Sequence, residues 1–217
     1  MSLSYGDAGD SLRNRAEFLR GLGIDPGDLV CCRQAHGTTV SLVKAVDKGR
    51  GAFADADAIE SCDALVTAEP GVPLGIFTAD CLSIFLFDPH TCVAGIVHAG
   101  WRSTRQGIAA KTVRLMRDEF GTPPDALEAG FGPAIGACCY EVKEEFRSLF
   151  PSAMVTRGSR YYLDLVRVNT EQLVKAGVCK EHIADHGGCT SCRTGEYFSY
   201  RREGASCGRM LSVIMIR

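Results

Sequence analysis

The chain has 217 residues, of which 46% are hydrophobic and 23% charged, with a formal net charge of −2. This balance predicts one folded domain over residues 1–217 and excludes a disordered chain. It lacks the basic excess of a dedicated nucleic-acid or membrane-surface binder, and no apolar run reaches the ~18 residues of a membrane-spanning helix. The start, Met1-Ser2-Leu3-Ser4-Tyr5-Gly6-Asp7, has neither the basic nor the apolar region of a secretory leader. A cytoplasmic protein is therefore expected, with its eleven cysteines reduced. The adjacent pairs Cys31-Cys32 and Cys138-Cys139 read as small buried hydrophobes.

Taken in chain order, Asp10 to Leu22 reads as a helix stopped by Gly23. Asp28 to Gln34 and Thr39 to Val46 read as strands around the turn A-H-G-T, and G-R-G-A-F-A-D-A-D-A as a loop. Cys62 to Ala68 and Pro73 to Ala79 read as short apolar strands. Leu82 to Phe87 and Cys92 to Val97 form a predicted hairpin. A helix spans Gly107 to Phe120, ending at Gly121, and a strand follows from Ala126 to Phe131. Val142 to Phe150 and Leu163 to Ala176 read as helices, and Met210 to Ile216 as a last strand. Strands with helices grouped mostly after them predict a mixed α/β (α+β) domain rather than an alternating doubly wound fold.

The hairpin carries the chemistry. Asp88-Pro89-His90-Thr91 has the residues of a type I turn. Pairing Asp88 with Thr91 sets Cys81 opposite His98, with Cβ atoms roughly 4.5–5.5 Å apart. Ser83, Phe85 and Phe87 share that face with Ile96 and Ala94. Leu82, Ile84 and Leu86 occupy the other with Val97 and Val93, so both faces are apolar and the hairpin is expected to be central. A metal pair and a Cys–His catalytic pair both suit Cys81 and His98, and so does a core thiol beside a hydrogen-bonded core histidine. Beyond His98, A-G-W-R-S-T-R-Q-G enters a helix. Its backbone N–H groups, with Arg102 and Arg105, favour an anion such as phosphate. Trp101 suits stacking on a planar ligand or plain packing.

Of five histidines, His36 in R-Q-A-H-G-T-T-V is the natural third ligand. One cysteine and two histidines with an open position suit zinc, with copper as the alternative. His182, His186, Cys189 and Cys192 form a rival H-x3-H-x2-C-x2-C constellation, with Cys207 as a further donor. Asp80 and Asp63 are candidates for orienting ligands or for general-base work, against ordinary turn and cap duty.

The stretches RQAHGTTV, CDALVT, TADCLSIFLFD, GIVHAGWRS, GFGPAIGACCYEV and YFSYRREGASCGRM resemble the laccase-domain family, also called polyphenol oxidase, YfiH-like or peptidoglycan editing factor proteins. The resemblance runs from about Ser4 to the end and implies a layered α/β sandwich, similar to that of a toxin deamidase with a Cys–His site. It implies zinc held by His36, Cys81 and His98. It also implies phosphorolysis of adenosine, inosine and methylthioadenosine, and deamination of adenosine. Beside that, the residues name Asp80 and Arg102 as catalytic, and Arg102 and Trp101 as substrate-binding. The expected partners are a purine nucleoside and phosphate, with no nucleic acid and no membrane, and the expected state is a monomer. The family also carries an N-terminal arm with an R-x-G-G-V-S stretch, which the sequence given does not include. Ser103 stands where the family has glycine, so a left-handed backbone there would be strained. Ser83 replaces a frequent proline, and Ala35 a larger residue. Five histidines are too few for the copper centres of a multicopper oxidase. The alternatives are a metal-free Cys–His hydrolase or deamidase using Cys81 and His98, and a non-catalytic metal-binding protein.

Overall fold

The computed structural model describes residue 2, residues 7–184 and residues 188–217. Helix α1 (Ala8–Gly21) begins where the Asp7 carboxylate accepts the Asp10 N–H at 2.8 Å, and the chain leaves it at Gly23, φ +72°. Strands β1 (Val30–Cys31) and β2 (Val40–Leu42) are shorter than their predicted spans. A 3-10 turn at Pro26–Asp28 takes the start of the first and another at Ala45–Asp47 the end of the second, while the chain between them is drawn into a loop around Asp63. There follow β3 (Ala64–Thr67), β4 (Leu74–Thr78), β5 (Leu82–Asp88), β6 (Val93–Ala99), helices α2 (Trp101–Arg105) and α3 (Ile108–Phe120), and β7 (Glu128–Phe131). Gly121, φ +69°, ends α3 as expected.

The predicted helix over 142–150 is mostly not helical. Glu141–Val142 is strand β8 and only Phe146–Leu149 is helix α4, because β8 pairs with a hairpin whose strands carry no clear alternating pattern. That hairpin is β9 (Met154–Arg157) and β10 (Arg160–Leu163), turned at Gly158, φ +58°. Helix α5 (Leu165–Lys175), strand β11 (Ile183–Ala184), helix α6 (Tyr200–Glu203) and strand β12 (Met210–Ile214) complete the chain.

The result is a mixed, layered α/β domain. A six-stranded sheet, ordered β11-β7-β5-β6-β3-β2, pairs β2 with β3 and β11 with β7 in parallel and is otherwise antiparallel. On one face, Ile84, Leu86 and Val97 pack with Ile108, Val113 and Met116 of α3 and Leu165 and Leu173 of α5. On the other, Leu65 and Ile96 meet Val30, Leu74 and Ile76 of a three-stranded sheet ordered β1-β4-β12. The outer side of that small sheet is covered by α1 through Leu19 against Leu29, Cys31 and Leu211. The β5–β6 hairpin is thus buried on both faces, as its two apolar faces predict. Among the described residues no helix is long and apolar enough to cross a membrane.

The hairpin register differs from the predicted one by two residues. Asp88 pairs with Val93 and Ser83 with His98. The Asp88 carboxylate accepts the His90 N–H at 2.9 Å and the Thr91 hydroxyl at 2.5 Å, and Cys92 takes φ +52°. The loop is therefore 89–92 rather than the two central residues of a tight turn. A slip of two keeps every side chain on its face, so Cys81, just before β5, stays on the side of His98. Ser103 lies inside α2, with no left-handed backbone, and its buried hydroxyl donates to the carbonyls of His98 (3.2 Å) and Gly100 (3.1 Å). The strain anticipated there does not arise.

Ser83 shows how closely the strands fit. Its hydroxyl accepts from Ser212 at 3.0 Å, and a Cβ on Gly132 would lie 2.1 Å from its Oγ. Gly132→Ala is expected to destabilise by about 1–3 kcal/mol, lowering Tm by at least about 2 °C in a chain of this size. Ser83→Ala in the same chain should recover part of that loss, and thermal denaturation of the single and double variants checks the coupling.

Candidate metal centre

Asp63 precedes β3 and is fully buried. Its backbone carbonyl accepts the His98 N–H at 2.7 Å. Its carboxylate Oδ1 accepts from His36 N at 2.9 Å and lies 2.8 Å from His98 Nδ1, while Oδ2 accepts from Ala35 N at 3.1 Å and Gly37 N at 2.7 Å. One side chain thus holds both the loop that carries His36 and the ring of His98. Burial pushes this carboxyl up, but the hydrogen bonds from His98, Gly37 and His36 outweigh it and hold it below the usual range. With every lone-pair direction taken, Asp63 is built to orient, not to accept a further proton.

His36 sits at φ +57°, a left-handed conformation that the three hydrogen bonds to Asp63 impose on its loop. Its ring is edge-on to that of His98, with centroids 4.8 Å apart. The structure brings His36, Cys81 and His98 together: one ligating atom from each lies within 4.8 Å of the others. Because Asp63 engages His98 Nδ1, Nε2 is the nitrogen left for this cluster. A Cβ on Gly100 would stand 3.1 Å from Cys81 Sγ and 3.3 Å from His36 Cδ2, so glycine there keeps the space beside the donors open. Burial raises the Cys81 thiol, but the charge of His98 and hydrogen bonds from His36 and His98 bring it down to about 6. Burial lowers His98, but Cys81 and Asp63 push it up to about 9. In the absence of a metal, these opposite shifts favour a thiolate beside an imidazolium near neutral pH.

Asp80 takes φ +83°, and its carboxylate accepts the Thr190 hydroxyl and the Arg201 N–H, both at 2.6 Å; its carbonyl accepts Ile135 N at 2.9 Å. It ties the turn before Cys81 to the C-terminal segment. Arg102 is exposed and stacks its guanidinium 4.6 Å from the Trp101 ring; that guanidinium makes no hydrogen bond or ion pair with a described residue, while the backbone carbonyl accepts from Gln106. Half-buried Trp101 packs its ring 5.0 Å from Phe146. Two further residues, Tyr140 and Arg201, stand beside the site. Burial and the negative charge of Cys81 push the Tyr140 hydroxyl well up, and the Arg201 guanidinium lies 5.3 Å from the Tyr140 ring. Both stand in the quoted motifs GACCYEV and YFSYRREG, but nothing local to either motif signals a role.

The rival constellation does not assemble. His182 is exposed on the Lys180–His182 turn, beside Phe85 and Glu128 at the far edge of the sheet, and His186 lies outside the described residues. Cys189 and Cys192 instead meet Cys138 and Cys139. Cys138 is exposed and Cys139 half-buried, so this pair is not the buried hydrophobe expected, whereas Cys31 and Cys32 are buried. Cys207 is buried apart from the cluster, its thiol directed to the Gly208 carbonyl.

The family model described as "Multi-copper polyphenol oxidoreductase laccase" matches residues 1–217. The chain is 38% identical to a protein of Geobacillus stearothermophilus named purine nucleoside phosphorylase YlmD, over 99% of this chain and 82% of that one. It is 34% identical to a protein of an unknown prokaryotic organism named adenosine deaminase RL5, over 89% and 77%. Among solved structures, YfiH of Bacillus licheniformis superposes with a TM-score of 0.93 at 33% identity, and YlmD of Geobacillus stearothermophilus with 0.93 at 36%. In both cases 97% of this chain and 82% of the other are covered.

Cys81 reactivity tests the electrostatics. In metal-stripped protein its alkylation by iodoacetamide should follow the thiolate fraction, half-maximal at a pH of about 6 and level above neutrality. Peptide mapping separates Cys81 from the other thiols. A rate that keeps climbing toward pH 9, as for an ordinary thiol, would contradict the thiolate–imidazolium pair.

Proposed function

The chain belongs to the multi-copper polyphenol oxidoreductase laccase family, and from that premise we propose that it is a zinc-dependent purine nucleoside phosphorylase acting on adenosine, inosine and methylthioadenosine, with adenosine deaminase activity. The observation that carries this reading is the convergence of one thiol and two imidazoles beside Gly100, with an uncommitted guanidinium on the adjoining helix. Relatives named for both activities supply the substrate class. Eleven cysteines without a disulfide suit a reducing cytoplasm, and a monomer is the simplest state.

His36, Cys81 and His98 would hold the zinc, which supplies Lewis acidity when bound. Copper also accepts such donors. Among the described residues the remaining imidazoles, His90 and His182, do not make a multicopper set: His90 is in the exposed hairpin turn and His182 at the far sheet edge. Arg102 is assigned to phosphate, where its planar fork can grip two oxygens. Trp101 supports that guanidinium from below and adds a face to the substrate site. Asp80, with both oxygens engaged by Thr190 and Arg201, serves the reaction by positioning the Cys81 turn. In phosphorolysis a phosphate oxygen bonds to the ribose C1′ as the glycosidic C–N bond breaks, and the purine leaves with a proton on nitrogen. In deamination water adds at C6 and ammonia leaves.

The lowered Cys81 thiol also suits a second reading, a metal-independent hydrolase with Cys81 as nucleophile and His98 as base. Assaying inosine with and without phosphate, before and after chelation, separates the two. The first reading predicts phosphate-dependent hypoxanthine release that chelation abolishes and zinc restores. The second predicts a metal-free activity lost on alkylation of Cys81. Arg102→Ala should raise the KM for phosphate about 10- to 100-fold, the worth of a lost charge-assisted contact, while zinc content stays unchanged.

A further inference from the structure

We propose that Cys138, Cys139, Cys189 and Cys192 bind one zinc-class divalent cation, at a second site separate from His36, Cys81 and His98. This site uses other residues than the proposed nucleoside chemistry and does not depend on it. Two loops form it. The Ala134 carbonyl accepts the Thr190 N–H at 3.0 Å, and the Gly136 N–H points at Cys189 Sγ, 3.2 Å away. The Gly136 carbonyl accepts the N–H groups of Cys139 (3.0 Å) and Tyr140 (2.9 Å), curling the first loop so that both its cysteines face the second.

All four sulfurs lie within 4.8 Å of one another, and Cys192 Sγ is nearly equidistant from Cys138 (3.4 Å) and Cys139 (3.3 Å). Sulfurs at about 2.3 Å around one tetrahedral zinc stand about 3.8 Å apart, so the observed spacing suits a common centre. A disulfide would select one partner for Cys192 and leave the other thiols unexplained. A Cβ on Gly136 would meet Cys138 Sγ at 3.2 Å and Cys189 Cβ at 3.3 Å, so the space at the sulfurs is again kept by a glycine. Four thiolates around a divalent ion leave net negative charge. The Gly136 N–H offsets it, and so do Arg157 and Arg201, whose Nη1 atoms donate to the carbonyls of Cys138 (3.2 Å) and Glu141 (2.8 Å). Cys138 and Cys192 are exposed, which gives an ion access from solvent.

Binding would release the thiol protons to solvent and leave four metal–sulfur bonds. Thr190, between two of the ligands, donates to the Asp80 carboxylate, so the cation would fix the loop that holds the Cys81 turn.

The test is zinc content of the full chain, purified reduced and supplied with zinc. Wild type should carry two zinc ions per chain. Cys189→Ser with Cys192→Ser should carry one, and His36→Ala with His98→Ala also one. If the cysteine variant fails to fold, cadmium-113 NMR of cadmium-loaded wild type decides. Two resonances, one in the all-sulfur range, support the site, and a single resonance outside it overturns the proposal. A single zinc that the cysteine variant retains would overturn it too. So would a disulfide from Cys192 to Cys138 or Cys139 in protein kept under the same reducing conditions.

Discussion

The centre of this molecule depends on one buried carboxylate. Asp63 receives N–H groups from Ala35, His36 and Gly37 and from the imidazole of His98, segments that the chain alone would not bring together. A carboxylate stripped of water and left unpaired would be destabilising by several kcal/mol. Here each hydrogen bond to it is charge-assisted, and so stronger than its neutral counterpart. The same bonds hold His36 in a left-handed conformation that costs about 1–3 kcal/mol. Removing this one side chain would leave backbone amides without a partner and a histidine without a defined tautomer.

The thiol is held from the opposite direction. Asp80 anchors the turn before Cys81 to Thr190 and to the Arg201 amide, while the Ile135 N–H holds its carbonyl. Two carboxylates therefore fix the donors from two sides, one through the imidazoles and one through the sulfur. The scaffold between them is the β5–β6 hairpin, buried on both faces between a helical layer and a second sheet. Donors mounted on such an element keep their spacing without a ligand to organise them, and Gly100 keeps the space beside them open.

Much of this is readable from the sequence because it rests on local pattern. The alternating apolar faces of the hairpin, the Asp88-Pro89 turn and the stop signals at Gly23 and Gly121 are short-range chemistry. The hairpin pairs two residues away from the register its turn residues predict, because the Asp88 side chain organises a longer loop. The difference leaves Cys81 on its predicted face, since a strand repeats every second residue. The Val142–Phe150 stretch looks helical by spacing but joins a sheet, where the partner strand β10 decides the outcome. What local pattern does not reveal is long-range. Nothing within Cys138-Cys139 or within Cys189-x-x-Cys192 indicates that the two pairs meet, nor that Tyr140 and Arg201 flank Cys81 and Asp80.

The orientation of the His98 ring is the most direct test of the Asp63 arrangement. Long-range nitrogen-15 NMR of the zinc-loaded protein distinguishes the two ring nitrogens. The carboxylate contact predicts that Nδ1 of His98 carries a hydrogen-bonded proton and that Nε2 has the shift of a metal-bound nitrogen. A His98 ring protonated on Nε2, or bound to metal through Nδ1, would contradict it.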